Sequence, residues 1–396
     1  MKIDIFNGDC LEVLKKYPDN YFHSVVTDPP YGISFMQKKW DYDIPSVEIW
    51  SEIFRVLKHG GHVLCACGTR TQHRMVVNIE DAGFEIRDVI TWHYGSGFPK
   101  SHDISKAIDK QKGTYVEGEL SKNTRSGVEG DLNGYDHSKK ITLPNPQSDD
   151  AKKWSGWGTA LKPATEFFTL ARKPLLEDTV AENVMKHGVG GINIDSSRIA
   201  TDDVISNHSR SNESAISKGK YGDSAEQKTH QTEGQKLGRF PANVIFDDFT
   251  GEILDEQSGN SISKKGNPRG TEKKSMFSNS EFNKVGAEYN DEGGASRFFY
   301  CAKPSKAERN KGVQDGNKHP TVKPIKLMQY LVKLITPTGG IVLDPFNGSG
   351  TTGIACKIEG FDYIGIEREK ESCDTSIARI AAWDIKKTPD EQLELF

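Results

Sequence analysis

Apolar and polar positions change period repeatedly along the first hundred residues. Residues 3–6, Ser24–Thr27, His62–Ala66 and Glu85–Tyr94 form short apolar runs that read as strands. Between them, Cys10–Lys16, residues 46–58 and Thr71–Ala82 carry apolar residues at helical spacing, and His59-Gly60-Gly61 reads as the stop of the second helix. Such alternation predicts a mostly parallel, twisted sheet with helices on both faces. Past Trp92 the pattern fades. Asp109 to about Asp150, residues 201–235 and residues 258–295 are polar, bury little apolar surface and read as long loops, partly disordered on their own. Short ordered islands interrupt them: Trp154-Ser155-Gly156-Trp157, Thr165–Lys173, Gly190–Ile199, Phe240–Phe246 and Arg297–Lys303. Glu166–Arg172 reads as a core strand that completes the sheet. Order returns with a helix at Ile325–Ile335, strands at Ile341–Leu343 and Tyr363–Ile366, helices from Thr351 and Glu369, and a polar tail from Lys386.

A chain of 396 residues has ample length for a sizeable core in one large domain or two. Its net charge of −4 means that any nucleic-acid surface must concentrate its basic residues locally. Lys and Arg do cluster at 152–153, 172–173, 209–220, 264–274 and 303–311, each of which also reads as an ordinary solvated loop. The six cysteines include no C-x-x-C pair, so no structural zinc site is expected. Cys65 and Cys67 should share one face of a buried strand as reduced core residues. No signal peptide and no bilayer-length apolar run are present, so a cytoplasmic chain without a membrane partner is expected.

The chemistry concentrates at two places. Ser24–Thr27 ends abruptly in Asp28-Pro29-Pro30-Tyr31, where neither proline has an N–H to continue a ladder or helix. A rigid corner results, presenting one carboxylate, bare carbonyls and a ring. That set suits an exocyclic amine on a planar heterocycle; a surface turn of the same composition is the plainer alternative. Gly32–Asp43, with Phe35, Lys38, Lys39 and Trp40, is either a mobile loop over the target or an ordinary exposed loop.

Far along the chain, a strand runs into Asp344-Pro345-Phe346-Asn347-Gly348-Ser349-Gly350-Thr351, a glycine-rich turn ahead of a helix. Glycines there allow close backbone approach to a ligand, and the helix start offers free N–H groups. The next strand ends in Glu367, placed to bind ribose hydroxyls. The turn is neither G-x-G-x-x-G nor a phosphate-binding loop, since no Lys follows Gly350. A nucleoside without phosphates fits it better.

Together these blocks resemble the β-class DNA amino-methyltransferases, which use S-adenosylmethionine to modify N6 of adenine or N4 of cytosine. Asp-Pro-Pro-Tyr precedes Asp-Pro-Phe-Asn-Gly-Ser-Gly in that class, with a target-recognition region between. His319-Pro320-Thr321-Val322-Lys323-Pro324 is similar to the segment that holds the cofactor's methionine end. Asn7-Gly8-Asp9-Cys10-Leu11 is similar to the segment that meets its adenine. The resemblance covers roughly residues 1–110 and 295–385. It implies a Rossmann-like methyltransferase fold: a catalytic half (1–108), a target-recognition insertion (109–295) and a cofactor half (296–396). It further implies catalytic Asp28, Pro29, Pro30 and Tyr31. The cofactor contacts would be Asp9, Cys10, Asp28, Thr321, Lys323, Pro324, Asp344, Pro345, Phe346, Asn347, Gly348, Ser349, Gly350, Thr351 and Glu367. Its partner would be double-stranded DNA. Family members are often dimers, so the resemblance admits a homodimer, although the sequence carries no interface signature; it also admits a cognate restriction endonuclease, whose presence the sequence does not reveal.

Asp at the first motif position goes mostly with adenine in this family, so site-specific N6-adenine methylation after base flipping is expected, with N4-cytosine as the alternative. Other classes are an RNA or protein methyltransferase and a catalytically silent DNA-binding module; intact Asp28, Tyr31, Gly348, Gly350 and Glu367 argue against the last. Glu182-Asn183-Val184 matches a tripeptide of cytosine-C5 methyltransferases, but that chemistry needs a nucleophilic Cys after Pro, and no Pro-Cys occurs. The tripeptide reads as helix.

Overall fold

The computed structural model describes residues 1–33, 43–95, 97, 101–116, 145–201, 203, 207–209, 228–230, 232–262, 292–302, 308, 310–313 and 322–383. The loop residues Phe35, Lys38, Lys39 and Trp40, the segment through His319, Pro320 and Thr321, and the basic stretches within 210–220, 264–274 and 303–307 lie outside the described residues, as does the tail. The chain divides into one compact unit of Met1–Tyr94 with Thr165–Phe396 and a second of Gly95–Ala164.

In the first unit, nine described strands share one sheet: β1 (Ile3–Asn7), β2 (Phe22–Thr27), β3 (Leu57–Gly68), β4 (Glu85–His93), β5 (Thr165–Arg172), β6 (Val244–Asp247), β7 (Tyr300–Ala302), β8 (Ile341–Asp344) and β9 (Asp362–Glu367). Their order is β1-β9-β8-β2-β3-β5-β4-β6-β7. Every neighbouring pair is parallel except the two made by β5, which runs against both β3 and β4. The expected mostly parallel sheet is the fold adopted. The reversal of β5 has a direct consequence for chemistry. It brings the start of β5, at Glu166, to the same rim as the carboxyl ends of its neighbours, opposite Gly68 and Trp92. Ligands of open parallel sheets bind at that rim.

The described helices are α1 (Cys10–Leu14), α2 (Val47–Val56), α3 (Gln72–Asp81), α4 (Ile104–Lys112), α5 (Asp149–Lys153), α6 (Val180–His187), a single turn at Glu233–Lys236, α7 (Asp248–Ser258), α8 (Ile325–Ile335), α9 (Thr351–Glu359) and α10 (Lys370–Ala381). Period-two alternation sorts the sheet's side chains between two cores. Val25, Val63, Cys65, Cys67 and Leu343 face one core with Leu14 of α1, Trp50 and Ile53 of α2 and Met75 of α3. Val26, Leu64, Ala66 and Val342 face the other with Leu327, Met328 and Leu331 of α8. Cys65 and Cys67 thus share a face, as expected, and both are free thiols. Among the described residues, no helix is long and apolar enough to cross a membrane.

One boundary differs from expectation. Helix α2 stops at Val56, and Leu57 already pairs with Phe22. Phe22 opposes Leu57 while Ser24 opposes His62, so residues 58–61 bulge out of β3. His59-Gly60-Gly61 is therefore a strand bulge and not a helix stop. Gly60 has φ +85°, and a Cβ there would meet Asn183 Nδ2 at 2.3 Å. That amide donates to His59 O and Val189 O, both at 2.8 Å. The Glu-Asn-Val tripeptide lies in α6, as read from sequence: Thr179 and Glu182 form its capping box, and Asn183 pins the bulge.

In the second unit, α4 is capped by the Asp103 carboxylate and ends at Gly113 in the left-handed conformation. The helix was not legible within this polar stretch. Asp109 accepts from the backbone of Gln147 and Ser148, and Ile104 N donates to Trp157 O at 3.1 Å. Trp154 and Trp157 pack edge to face at 5.1 Å while remaining 43% and 60% exposed.

Candidate active site

Strand β2 delivers Asp28 to the rim. Its last residue, Thr27, is buried and donates from Oγ1 to Asp344 Oδ1 at 2.6 Å, which ties the ends of β2 and β8 together. The chain then turns through Pro29 and Pro30. Thr71 Oγ1 donates to Tyr31 O at 2.6 Å, fixing the exit from the corner. Gly68, at the end of β3, leaves room for the Tyr31 ring: a Cβ there would lie 3.1 Å from Tyr31 Cδ2. The ring is half-buried and packs against both cores.

Four polar groups converge on this corner. Tyr31 Oη lies 2.8 Å from Asp28 Oδ1 and 3.2 Å from Glu166 Oε2, and its single hydrogen serves either carboxylate. Lys323 Nζ donates to Asp28 Oδ2 at 2.5 Å and lies 3.2 Å from both Tyr31 Oη and Glu166 Oε2. The lysine side chain is only 7% exposed. Burial by itself would lower its pKa, yet Asp28 and Glu166 outweigh that and hold the ammonium above the ordinary lysine value. Burial, with Asp28 and Glu166 adding to it, pushes the Tyr31 phenol well above its usual range, so Tyr31 stays a neutral donor. Two carboxylates around one ammonium leave the corner with a formal charge of −1. Each Asp28 oxygen has two lone pairs and accepts one donor here, Tyr31 on Oδ1 and Lys323 on Oδ2, so Asp28 retains capacity for a further donor.

The sequence presents Glu166 as part of a core strand and gives it no role at the site. It is the charged residue near the start of an apolar strand, and only the antiparallel direction of β5 brings it to Asp28. Lys323 was expected among the cofactor contacts. The structure places its ammonium on Asp28 and Glu166. Pro324 follows it as the residue capping α8.

The glycine-rich turn lies at the ends of β8 and β9. Asp344 is buried; its Oδ1 accepts from Thr27 and from Phe346 N at 3.1 Å, and Tyr363 Oη lies 3.4 Å from Oδ2. Burial pushes this carboxyl up to about 6, with Thr27, Thr352 and the Phe346 N–H working in the opposite direction. Asn347 is held from both sides, donating to Ser376 Oγ at 2.8 Å and accepting from Tyr363 Oη at 2.8 Å. Gly350 has φ +81°, and a Cβ there would meet Ser376 Oγ at 2.3 Å, so glycine is required where the turn enters α9. Beneath the turn, the fully buried Arg379 donates to Ser349 O at 2.5 Å, to Ser349 Oγ at 2.9 Å and to Thr351 Oγ1 at 3.3 Å. No pattern in the sequence marks this arginine, which sits between Ala378 and Ile380 near the end of α10.

Glu367 closes the turn from above: Oε2 accepts from Gly348 N at 2.8 Å and Oε1 from Glu369 N at 2.8 Å. Burial raises its pKa above the ordinary carboxylate value. Gly8 N donates to Glu367 O at 2.9 Å, which joins the N-terminal segment to the same rim. There Asp9 accepts from Leu11 N and caps α1, and Cys10 is buried with its thiol raised to about 11 by burial. Asp344, Pro345, Asn347, Ser349, Gly350 and Thr351 are thus internal parts of the turn, whereas Asp9, Phe346, Gly348 and Glu367 keep surface at the rim. Acidic groups at the rim, with the arginine charge spent below, suit hydroxyls and an amine better than phosphate.

Comparison with known proteins finds DNA methyltransferases. The Type II methyltransferase M.HindIII of Haemophilus influenzae is 22% identical over 419 residues, covering 95% of this chain and 94% of that protein. M2.MboI of Moraxella bovis is 47% identical over 62 residues, which is 16% of this chain and 23% of that protein. Solved structures with partial likeness include the cytosine-N4-specific PvuII DNA methyltransferase (TM-score 0.46, 14% identity, 100% of this chain and 91% of that one). Another is the M1.HpyAVI–SAM complex (TM-score 0.40, 16% identity, 96% and 98%). Residues 22–378 match the family described as DNA methylase, of the N6/N4 type. With its acidic corner and glycine-rich turn at one rim of the sheet, the chain belongs to that S-adenosylmethionine-dependent family of DNA methyltransferases.

Proposed function

We propose that this protein methylates the N6 amine of adenine at a defined site in duplex DNA, after flipping the base. The observation that carries the reading is the Asp28 corner, where a carboxylate held by Tyr31 and Lys323 leads into a double-proline turn and the half-buried Tyr31 ring. An adenine amine is a poor nucleophile because its lone pair is delocalised into the ring. Asp28 and the Pro29 carbonyl accept its two hydrogens, which draws the nitrogen toward a tetrahedral shape and localises the lone pair. S-adenosylmethionine, when bound, supplies an electrophilic methyl group on a sulfonium. The residues to hold it are Asp9, Glu367, Phe346 and the Gly348–Gly350 turn, and Thr321 joins them by resemblance. As the nitrogen gains its fourth substituent it becomes positive, and the Asp28 carboxylate stabilises that charge and takes one hydrogen as a proton. No enzyme nucleophile is needed, in keeping with the buried, raised Cys10, Cys65 and Cys67 thiols.

Flipping costs a few kcal/mol, which packing of the base on Tyr31 offsets in part. Residues 109–295 supply target recognition. Within that span, exposed Trp154 and Trp157 stand beside Lys152 and Lys153, a surface type suited to DNA. Likeness to a Type II methyltransferase along nearly the whole chain supports action at a defined site. Asp rather than Ser at position 28 favours adenine, although cytosine N4 would use the same acceptors.

The test is incubation with tritiated S-adenosylmethionine and unmethylated duplex DNA, followed by nucleoside mass spectrometry. N6-methyladenine is the expected product. N4-methylcytosine would keep the mechanism and overturn the base. No methylated nucleoside would sink the DNA reading and turn attention to RNA or protein.

A further inference from the structure

We infer that Glu166 is a positioning residue for methyl transfer: it balances the Lys323 ammonium so that the Asp28 carboxylate keeps its negative charge available to the target amine. This rests on the reading of Asp28 as the acceptor of that amine.

The argument starts from charge. Lys323 donates to Asp28 at 2.5 Å with almost no solvent around it. A buried ammonium this close would cancel the carboxylate. An amine that becomes cationic during transfer would then be repelled by Lys323 about as strongly as Asp28 attracts it. Glu166 Oε2, 3.2 Å from Lys323 Nζ, adds the second negative charge and returns the corner to −1. In the transfer itself the nitrogen lone pair forms the new N–C bond, the S–C pair stays with sulfur, and the nitrogen carries +1 until one hydrogen leaves as a proton to Asp28. Only a corner of net negative charge favours that moment over the neutral amine before it.

Geometry supports the assignment. Glu166 belongs to the one strand that runs against the others, paired on one side with Gly68 of β3 and on the other with Trp92 of β4. Its backbone is fixed by two ladders, and its carboxylate is also held by Tyr31 Oη at 3.2 Å. A core strand has no packing need for a carboxylate here. Its position makes sense as a counter-charge delivered to the rim from the far end of a reversed strand.

The experiment uses the full-length protein with S-adenosylmethionine and duplex DNA, in single-turnover and steady-state assays. Glu166→Gln preserves shape and removes charge. It should lower the transfer rate roughly 10- to 100-fold while the Kd for S-adenosylmethionine and for DNA stay within about threefold. Glu166→Asp, which keeps the charge on a shorter arm, should recover part of the loss. In a Lys323→Met background there is no ammonium to balance, so adding Glu166→Gln should change the rate by less than about threefold. Wild-type rate in Glu166→Gln, equal losses for Gln and Asp, or the same Gln penalty in both backgrounds would each overturn the inference. If Lys323→Met has no measurable rate, the Gln–Asp comparison decides alone. Failure of the underlying reading looks different: Asp28→Ala would then keep its activity in the same assay, whatever Glu166 does.

Discussion

Lys323 Nζ and Asp28 Oδ2 are 2.5 Å apart although 295 positions separate the two residues in sequence. Beside them Thr27 reaches Asp344 across 317 positions. The acidic corner is thus assembled from both ends of the chain, each strand end fixing the other. Substituting Asp28 removes the amine acceptor while Glu166 still neutralises Lys323, so the surroundings keep their charge balance. Asp28→Ala and Asp28→Asn should each lower turnover by at least about 10²-fold, the scale of losing one fixed electrostatic partner of a transition state. Calorimetry should find the affinity for S-adenosylmethionine within a few-fold of wild type. Turnover that survives either substitution would refute the role given to Asp28.

Much of this architecture is legible in the sequence because its signals are local. The period of β2, β3, β8 and β9, the Pro-Pro corner and the glycine-rich turn each depend on residues within a few positions. Signals that depend on distant partners were not legible. Gly60-Gly61 has the look of a helix stop, and only Asn183, docked on the bulge from another helix, makes it part of β3. Glu166 reads as one polar residue in an apolar strand until the direction of β5 is known. Arg379 reads as a surface charge in the last turn of α10, yet it is wholly buried beneath Ser349. Lys323 was picked out by motif, but its partner could not be: the motif names the residue and the fold decides what it touches.

Arg379 ties the glycine-rich turn to α10. Arg379→Met keeps much of the volume and leaves Ser349 O without its donor. Buried bonds from a charged donor contribute roughly 1.5–3 kcal/mol each, so a measurable fall in Tm is expected. Because the turn loses its support while the Asp28 corner is untouched, the Kd for S-adenosylmethionine should rise by about tenfold or more, with kcat at saturating cofactor within about threefold. A variant that loses kcat and keeps cofactor affinity would show that the turn is not what Arg379 serves.

The Glu-Asn-Val tripeptide gives a contrasting expectation. Glu182 serves the capping box of α6, and Asn183 holds His59 O, Val189 O and Leu176 N. Glu182→Gln can still make the capping contact and should leave both rate and stability near wild type. Asn183→Ala leaves buried backbone groups unsatisfied and should cost on the order of 2 kcal/mol in stability, read by denaturant unfolding, with kcat little changed in the folded protein. Were Glu182→Gln to abolish methylation, the mechanism would have to route through this helix.

Asp344 links the fold to pH. Its carboxyl is pushed up to about 6 by burial, against an ordinary value near 4, so the folded state binds its proton more tightly than the unfolded chain. Below about pH 4 the group is protonated in both states and its contribution is fully present. As pH rises through about 6 the folded protein must ionise a buried carboxyl, and stability on the order of 2 kcal/mol is lost. Asp344→Asn cannot ionise. Its amide oxygen can still accept from Thr27 and Phe346 N, and its NH₂ can face Tyr363 Oη. The difference in Tm between Asp344→Asn and wild type should therefore grow in favour of the variant from pH 4 to pH 7 and then level off. Every other titrating group is common to both proteins, so this difference isolates the one carboxyl. Melting curves across that range check it: a difference that stays constant with pH would mean that Asp344 ionises as readily in the folded protein as in the unfolded one.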